Sequence, residues 1–402
     1  MKDSHPWLRI FLPFAVGYFL SYLLRNANAV IAPELVRELN FSAAGLGLLT
    51  STYLAAFAAF QLPLGILLDR YGSRRIESAL LMLAAIGAAL FALGQNLAEL
   101  ALARGLIGLG VSACLMAAFK IFSLWFPIQR LASLNAAIMA AGGLGALTSS
   151  TPLTWAVSLV GWRGAFLGLA LLAVLASLLI FATPDKPAAA GKETLAEQLR
   201  GVGQVFNSFA FWRYAPQTAM IVGGFMAMQG LWAVPWLMNF NGMTRDAAAF
   251  HLLLMSIGML SGFVSIAAFV TRLAARGIHP ERILGFGIGG GMIVTLLIVI
   301  DGAPTYLLWF AMGLVFSIGN LSYALLSAQF PLHLAGRVNT TLNLLTFAGA
   351  FVIQWGFGAV VDSLTANGLS PHAAYQRSYG LLLALQAASY GWYLLTRRRQ
   401  RQ

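Results

Sequence analysis

Apolar residues along this chain fall into runs of about twenty, separated by short polar or basic connections, without the period-two alternation that a strand would show. Runs of that length match the hydrocarbon thickness of a bilayer when coiled as helices. The pattern predicts spans at 10–32, 43–66, 76–96, 100–124, 131–157, 164–183, 211–238, 247–270, 283–300, 304–328, 338–361 and 375–395. The expected fold is an all-α membrane protein of twelve transmembrane helices in two six-helix bundles. Ten-residue alternating segments, the mark of an outer-membrane barrel, are missing from the sequence.

Composition agrees with the pattern. Of 402 residues 59% are hydrophobic and 9% charged, and the mean hydropathy is +0.78. A soluble domain of this length would carry about a quarter charged residues. The 41 glycines suit close helix packing in lipid. One cysteine, Cys114, allows no internal disulfide. Only a short segment precedes the first span and no small-residue cleavage pattern closes that span, so a removed signal peptide is not expected.

The net charge of +12 is topological. With the amino terminus inside, most basic residues fall on cytoplasmic segments, among them Arg9, Arg70, Arg74, Arg75, Arg130, Arg276, Arg282, Arg337 and the carboxyl-terminal cluster from Arg397. Arg37, Arg163, Arg245 and Arg377 fall outside. This positive-inside bias predicts both termini in the cytoplasm. It leaves no need for a nucleic-acid partner.

After Thr183 the chain reads PDKPAAAGKETLAEQ, its longest polar connection. The expected organisation is an amino-terminal bundle over 1–183, a linker over 184–210 and a carboxyl-terminal bundle over 211–402. The halves echo each other: the segment around Pro127 and Asn135 is answered around Pro331 and Asn343, each on the cytoplasmic connection between fourth and fifth spans of its half. Internal repeats of this kind point to a transporter with a site where the halves meet near mid-membrane.

Charge inside the spans narrows the chemistry. Arg25 is the only charged residue of the first span, about 6 Å outward of its centre at about 1.5 Å per residue. An intramembrane arginine lines a path or a ligand site by default. Tyr18, Tyr22 and Arg25, spaced four and three apart, share a helical face, and Asn26 and Asn28 add amides. None of the 13 acidic residues is expected inside a span: Asp69, Glu77 and Glu281 are placed at the cytoplasmic edge, and Glu34, Glu38, Glu99, Asp301 and Asp362 at the other. A cationic substrate would find no counter-charge, whereas an anion would find Arg25, whose planar guanidinium suits a bidentate grip on carboxylate or phosphate. The competing reading makes Arg25 a structural pin satisfied by tyrosines and carbonyls.

Arg104 and Lys120 share the fourth span but lie about 24 Å apart along it and about 160° apart around it. Arg104 either lines the outer pathway or holds helices together. Lys120 either relays the anion inward or snorkels to the surface. Further walls are expected from Gln229, Trp232 and Trp236 in the seventh span, which Pro235 should bend, and from Asn320, Tyr323 and Asn343.

The sequence Gly65-Ile-Leu-Leu-Asp69-Arg70-Tyr-Gly72-Ser-Arg74-Arg75 resembles the signature loop between the second and third helices of the major facilitator superfamily. The resemblance implies that Gly65, Asp69, Arg70, Gly72, Arg74 and Arg75 form a cytoplasmic latch. Arg104-Gly-Leu-Ile-Gly108-Leu-Gly110 is similar to that superfamily's fourth-helix motif, and Gly161-Trp162-Arg163 with Phe166 to the start of its sixth helix. LLRNANAVIAPEL is similar to the first helix of its organophosphate exchangers and anion:cation symporters, whose arginine binds an anion at the position of Arg25. Those symporters carry acidic residues where this chain has Leu24 and Val111.

The resulting expectation is a secondary transporter, not an enzyme, that takes up a small organic anion across a bacterial inner membrane by alternating access. No cofactor is expected, and the partners are the anion, a co-transported cation or counter-anion, and membrane lipid, with the protein a monomer. Two alternatives stand beside it. One is an efflux carrier for neutral or weakly acidic compounds. The other is a copper(I) importer using His251, Met255 and Met259 at steps of four, since imidazole and thioether suit that ion.

Overall fold

The computed structural model describes residues 7–184, 195–331 and 334–397, and no strand occurs among them. The helices are α1 (Leu12–Leu39), α2 (Ala43–Tyr71), α3 (Ser73–Leu93), α4 (Leu97–Trp125), α5 (Ile128–Thr148), α6 (Thr151–Phe181), α7 (Leu195–Phe206), α8 (Phe209–Asn239), α9 (Arg245–Ala275), α10 (Pro280–Val299), α11 (Thr305–Ser327), α12 (Ala335–Ala366) and α13 (Pro371–Arg397). Ten helices are long and apolar enough to cross a membrane, with 137–148 a shorter apolar stretch. The chain is a multi-pass membrane protein.

Several helices break where local chemistry demands it. α4 is interrupted by a turn at 111–113, around which the hydroxyl of Ser112 donates back to the Leu109 carbonyl. A turn at Ser149 and Ser150 separates α5 from α6, and Pro152 sits in the first turn of α6, where its missing N–H costs nothing. Gly161, at φ +71°, turns the chain inside α6. The fifth expected span therefore runs from α5 into the start of α6, and the sixth begins at Trp162. Residues 185–194 of the expected linker lie outside the described residues, while Leu195–Phe206 is helical.

The chain divides into two compact units. One comprises Met1–Leu39 and Thr52–Gln198, the other Asn40–Ser51 and Leu199–Gln402. In the first, α3 packs along α6 and α4, and α1 along α5. Glycines set these approaches: a Cβ on Gly145 would run into the carbonyl of Phe19, one on Gly108 into that of Tyr53, and one on Gly110 would stand 2.6 Å from that of Leu80. In the second unit α9 packs on α11, and α8 on α12 and α13. There the Asp362 carboxylate of α12 accepts from the backbone amides of Ala43 at 3.0 Å and Ala44 at 2.7 Å, capping the exposed donors at the start of α2.

Candidate functional site

The first unit assembles its site around α1. Arg25 is half-buried. Its guanidinium lies 4.4 Å from the centroid of the Tyr22 ring and 5.7 Å from that of Phe57, and it hydrogen-bonds the Tyr53 hydroxyl. That hydroxyl in turn reaches the carbonyl of Ser21 at 3.4 Å. Tyr18 is buried one turn earlier, edge-on to Tyr22 at 5.2 Å. Gly142 of α5 makes room for both rings, because a Cβ there would stand 2.6 Å from Tyr18 and 2.9 Å from Tyr22. Phenols and aromatic faces are thus among the neighbours of the cation, and they attract it through the ring quadrupole.

Arg104 is wholly buried and is used on the backbone. Its Nη1 donates to the carbonyl of Leu24 at 2.8 Å and its Nη2 to that of Arg25 at 3.3 Å, with the Tyr53 ring centroid 4.9 Å away. Of the two sequence readings, the geometry matches the one in which Arg104 holds helices together. Lys120 lies half-buried beyond the α4 turn. Asn26 and Asn28 are buried. Tyr53 and Phe57 were not among the sequence candidates; nothing in an apolar helix rich in aromatics distinguished them, though their spacing of four puts them on one face.

The carboxyl-terminal end of α1 is pinned. Glu38 accepts from Trp162 Nε1 at 2.7 Å and from Arg163 Nη2 at 2.8 Å, while Arg163 also donates to the carbonyls of Ala92 and Gly94. Phe166 stacks on Phe91 at 4.3 Å. These contacts account for the Gly161-Trp162-Arg163 motif as an anchor for α1.

The signature loop is a tight turn between α2 and α3. Gly72 takes φ +80°, which glycine alone adopts without strain. Arg74 donates to the carbonyls of Phe181 at 3.5 Å and Thr183 at 3.2 Å. Arg70 lies against the Tyr71 ring at 5.3 Å, Arg75 is exposed and Gly65 half-buried. The side chain of Asp69 lies outside the described residues.

Glu77, which the sequence puts at the edge of the third span, lies one turn into α3 and is fully buried there. The helix phase carries it inward: Glu77 is in register with the buried Leu80, Leu81, Ala84 and Ala88.

In the second unit the helix α8 passes through a π-helical turn, Met228–Trp232, just before Pro235. A proline cannot donate to the carbonyl four residues back and its ring crowds that group, so the preceding turn widens. Within the turn, Gln229 Nε2 donates to Ser256 Oγ at 3.3 Å and Trp232 Nε1 to the carbonyl of Gln354 at 2.9 Å. Trp236 is buried, stacked on Phe240 at 4.3 Å and edge-on to Tyr379 at 5.0 Å. Tyr323 donates to Asn343 Oδ1 at 3.1 Å. Asn320 is exposed, its amide on the Ser317 carbonyl at 3.1 Å. Trp232 and Trp236 are joined through the rings of Phe357 and Tyr379.

Both ring nitrogens of His251 face oxygens, the carbonyl of Ala247 at 2.7 Å and Thr305 Oγ1 at 2.9 Å. Met255 and Met259 are buried, with the Met259 sulfur 3.8 Å from Gln229 Nε2. Among the described residues no group of three His, Cys, Asp or Glu could hold a metal ion.

A family model described as Major Facilitator Superfamily matches residues 14–354. The hexuronate transporter of Escherichia coli K12 is 30% identical over 161 residues, 40% of this chain and 37% of that protein. The galacturonate transporter of Dickeya chrysanthemi is 30% identical over 152 residues, 38% of this chain and 44% of that one. The chain thus aligns with only about two fifths of the length of these relatives. A probable galactarate/D-glucarate transporter of Bacillus subtilis is 24% identical across 93% of this chain and 92% of its own. Among solved structures, a D-xylose-proton symporter superposes with TM-score 0.76 at 16% identity, covering 96% of each chain. A nucleoside transporter superposes with TM-score 0.78 at 15% identity, covering 96% of this chain and 99% of that one.

Proposed function

This chain belongs to the Major Facilitator Superfamily, and from that footing we propose that it is a secondary transporter for a small organic anion, a sugar acid with a free carboxylate. As a member it is a transporter and not an enzyme. The single observation that carries the reading is the half-buried guanidinium of Arg25 held among the neutral side chains Tyr22, Tyr53 and Phe57. A positive charge kept in an apolar helix draws a carboxylate out of water by charge-assisted hydrogen bonds. The similarity to transporters named for hexuronates, galacturonate and galactarate or D-glucarate supports a carboxylate over a phosphate ester.

In this reading Tyr18, Tyr22 and Asn26 meet the sugar hydroxyls, and Arg104 positions the stretch of α1 that carries Arg25. The bundles over 1–183 and 211–402, joined by the 184–210 linker, alternate access by rocking, with the Gly65–Arg75 loop as cytoplasmic latch. The protein works as a monomer in the bacterial inner membrane with both termini in the cytoplasm, as the positive-inside bias supports, and runs toward uptake. Carrying an anion inward against an inside-negative potential requires a co-transported cation or a counter-anion.

Thermal stabilisation of the purified protein tests the substrate class. Galacturonate and glucarate should raise its Tm, whereas galactose should not. Equal stabilisation by galactose, or none by any carboxylate, contradicts the reading.

A further inference from the structure

Glu77 is used by nothing described so far. Its side chain is 0% exposed and lies between helices of the first unit. A Cβ on Gly17 of α1 would stand 2.6 Å from Glu77 Oε1, 3.3 Å from Ile180 of α6 and 3.5 Å from Leu81, so the missing side chain at Gly17 is the space the carboxyl fills. Neither carboxyl oxygen accepts from a nitrogen or oxygen donor among the described residues. The polar group that meets it is the thiol of Cys114, on α4 and also 0% exposed.

The helices around it supply no compensating charge. Cys114 is the titratable group facing Glu77 from α4. From α6 come Ile180 and the Ser177 hydroxyl, which donates to the Ser78 carbonyl at 2.7 Å. From α1 comes Gly17, and Arg74, one turn back on α3, is directed to the Phe181 and Thr183 carbonyls. An ionised carboxylate buried with no protein N–H donor on it among the described residues is expensive, whereas the neutral acid fits there and can use its one O–H. Cys114 is in turn within electrostatic reach of Arg25 and Tyr18. One thiol is therefore within electrostatic reach of both the buried acid and the Arg25 guanidinium.

We propose that Glu77 is a proton-binding site coupled to the Arg25 site. The carboxylate takes one proton from water to form the neutral acid that this arrangement of α1, α3 and α4 accommodates. It returns that proton to water on the other side when the helices part and expose it, so each cycle carries one positive charge with the substrate anion. The coupling rests on the anion-carrier reading; the protonated acid does not.

Infrared difference spectroscopy on the purified full chain in lipid at neutral pH tests the site without substrate. Wild type should show the carbonyl stretch of a protonated carboxylic acid that shifts in heavy water, absent from Glu77→Gln. Cys114→Ser should move that band, because a hydroxyl donates more strongly than a thiol. A spectrum unchanged in Glu77→Gln overturns the site, and if that variant does not fold, a band unmoved in Cys114→Ser does so. In vesicles, an acid exterior should stimulate galacturonate uptake by wild type, and Glu77→Gln should lose the stimulation; a stimulation that persists overturns the coupling. If wild type takes up no galacturonate at all, the anion reading fails while the infrared result still decides the proton site.

Discussion

Arg104 donates through Nη2 to the backbone carbonyl of Arg25 at 3.3 Å, and through Nη1 to that of Leu24 at 2.8 Å, so one buried guanidinium fixes the stretch of helix that carries the other. The two arginines therefore divide the work. Arg104 donates to the chain, and in the proposed reading it is the Arg25 guanidinium that meets the ligand. Hydrogen bonds from a charged donor are each worth about 1.5–3 kcal/mol. Arg104→Gln should lower the unfolding free energy by about 2–4 kcal/mol, seen as a lower Tm, and weaken galacturonate binding with it. Arg104→Lys should restore part of both, since it keeps the charge but can reach only one carbonyl well.

A second consequence concerns the approach of α4 to α2. A Cβ on Gly108 would run into the carbonyl of Tyr53, the residue whose hydroxyl meets Arg25. Gly108→Ala should cost about 1–3 kcal/mol by overpacking. Gly168, with nothing within 4 Å of an added Cβ, is the control. Gly168→Ala should leave Tm unchanged or raise it slightly, since alanine in a helix interior is favoured over glycine by about 0.5–1 kcal/mol. Thermal unfolding of the two variants side by side checks the pair.

In the second unit the Asp362 carboxylate caps the start of α2 with two hydrogen bonds. Asp362→Ala should destabilise by about 1–2 kcal/mol, as loss of a helix cap does. Asp362→Asn keeps an acceptor oxygen but not the charge, and should retain roughly half of the contribution. A Tm for Asp362→Ala equal to wild type would contradict this account of the contact.

What the sequence revealed depended on which physical signal each residue carried. Span length and loop charge made the helical membrane fold legible, and the isolated Arg25 drew attention to α1, because a lone charge among twenty apolar residues is costly. Arg104 stayed ambiguous: a buried arginine looks the same in one dimension whether it meets a ligand or two carbonyls. Tyr53 and Phe57 were invisible, since aromatic residues fill apolar helices for packing alone. The burial of Glu77 went unread because the residue follows the basic turn of Arg74 and Arg75, which a linear reading assigns to the surface. Its step of three to Leu80 and seven to Ala84, along the stripe that α3 buries, held the correct answer.

The account stands or falls on Arg25 as an anion clamp, and calorimetric titration of galacturonate into purified wild type, Arg25→Lys and Arg25→Ala tests it most directly. Loss of a charge-assisted, bidentate contact predicts affinity reduced by about tenfold or more in Arg25→Lys and about a hundredfold or more in Arg25→Ala. Both variants should remain folded, with Tm near that of wild type. Arg25→Ala that binds galacturonate as tightly as wild type would contradict the claim.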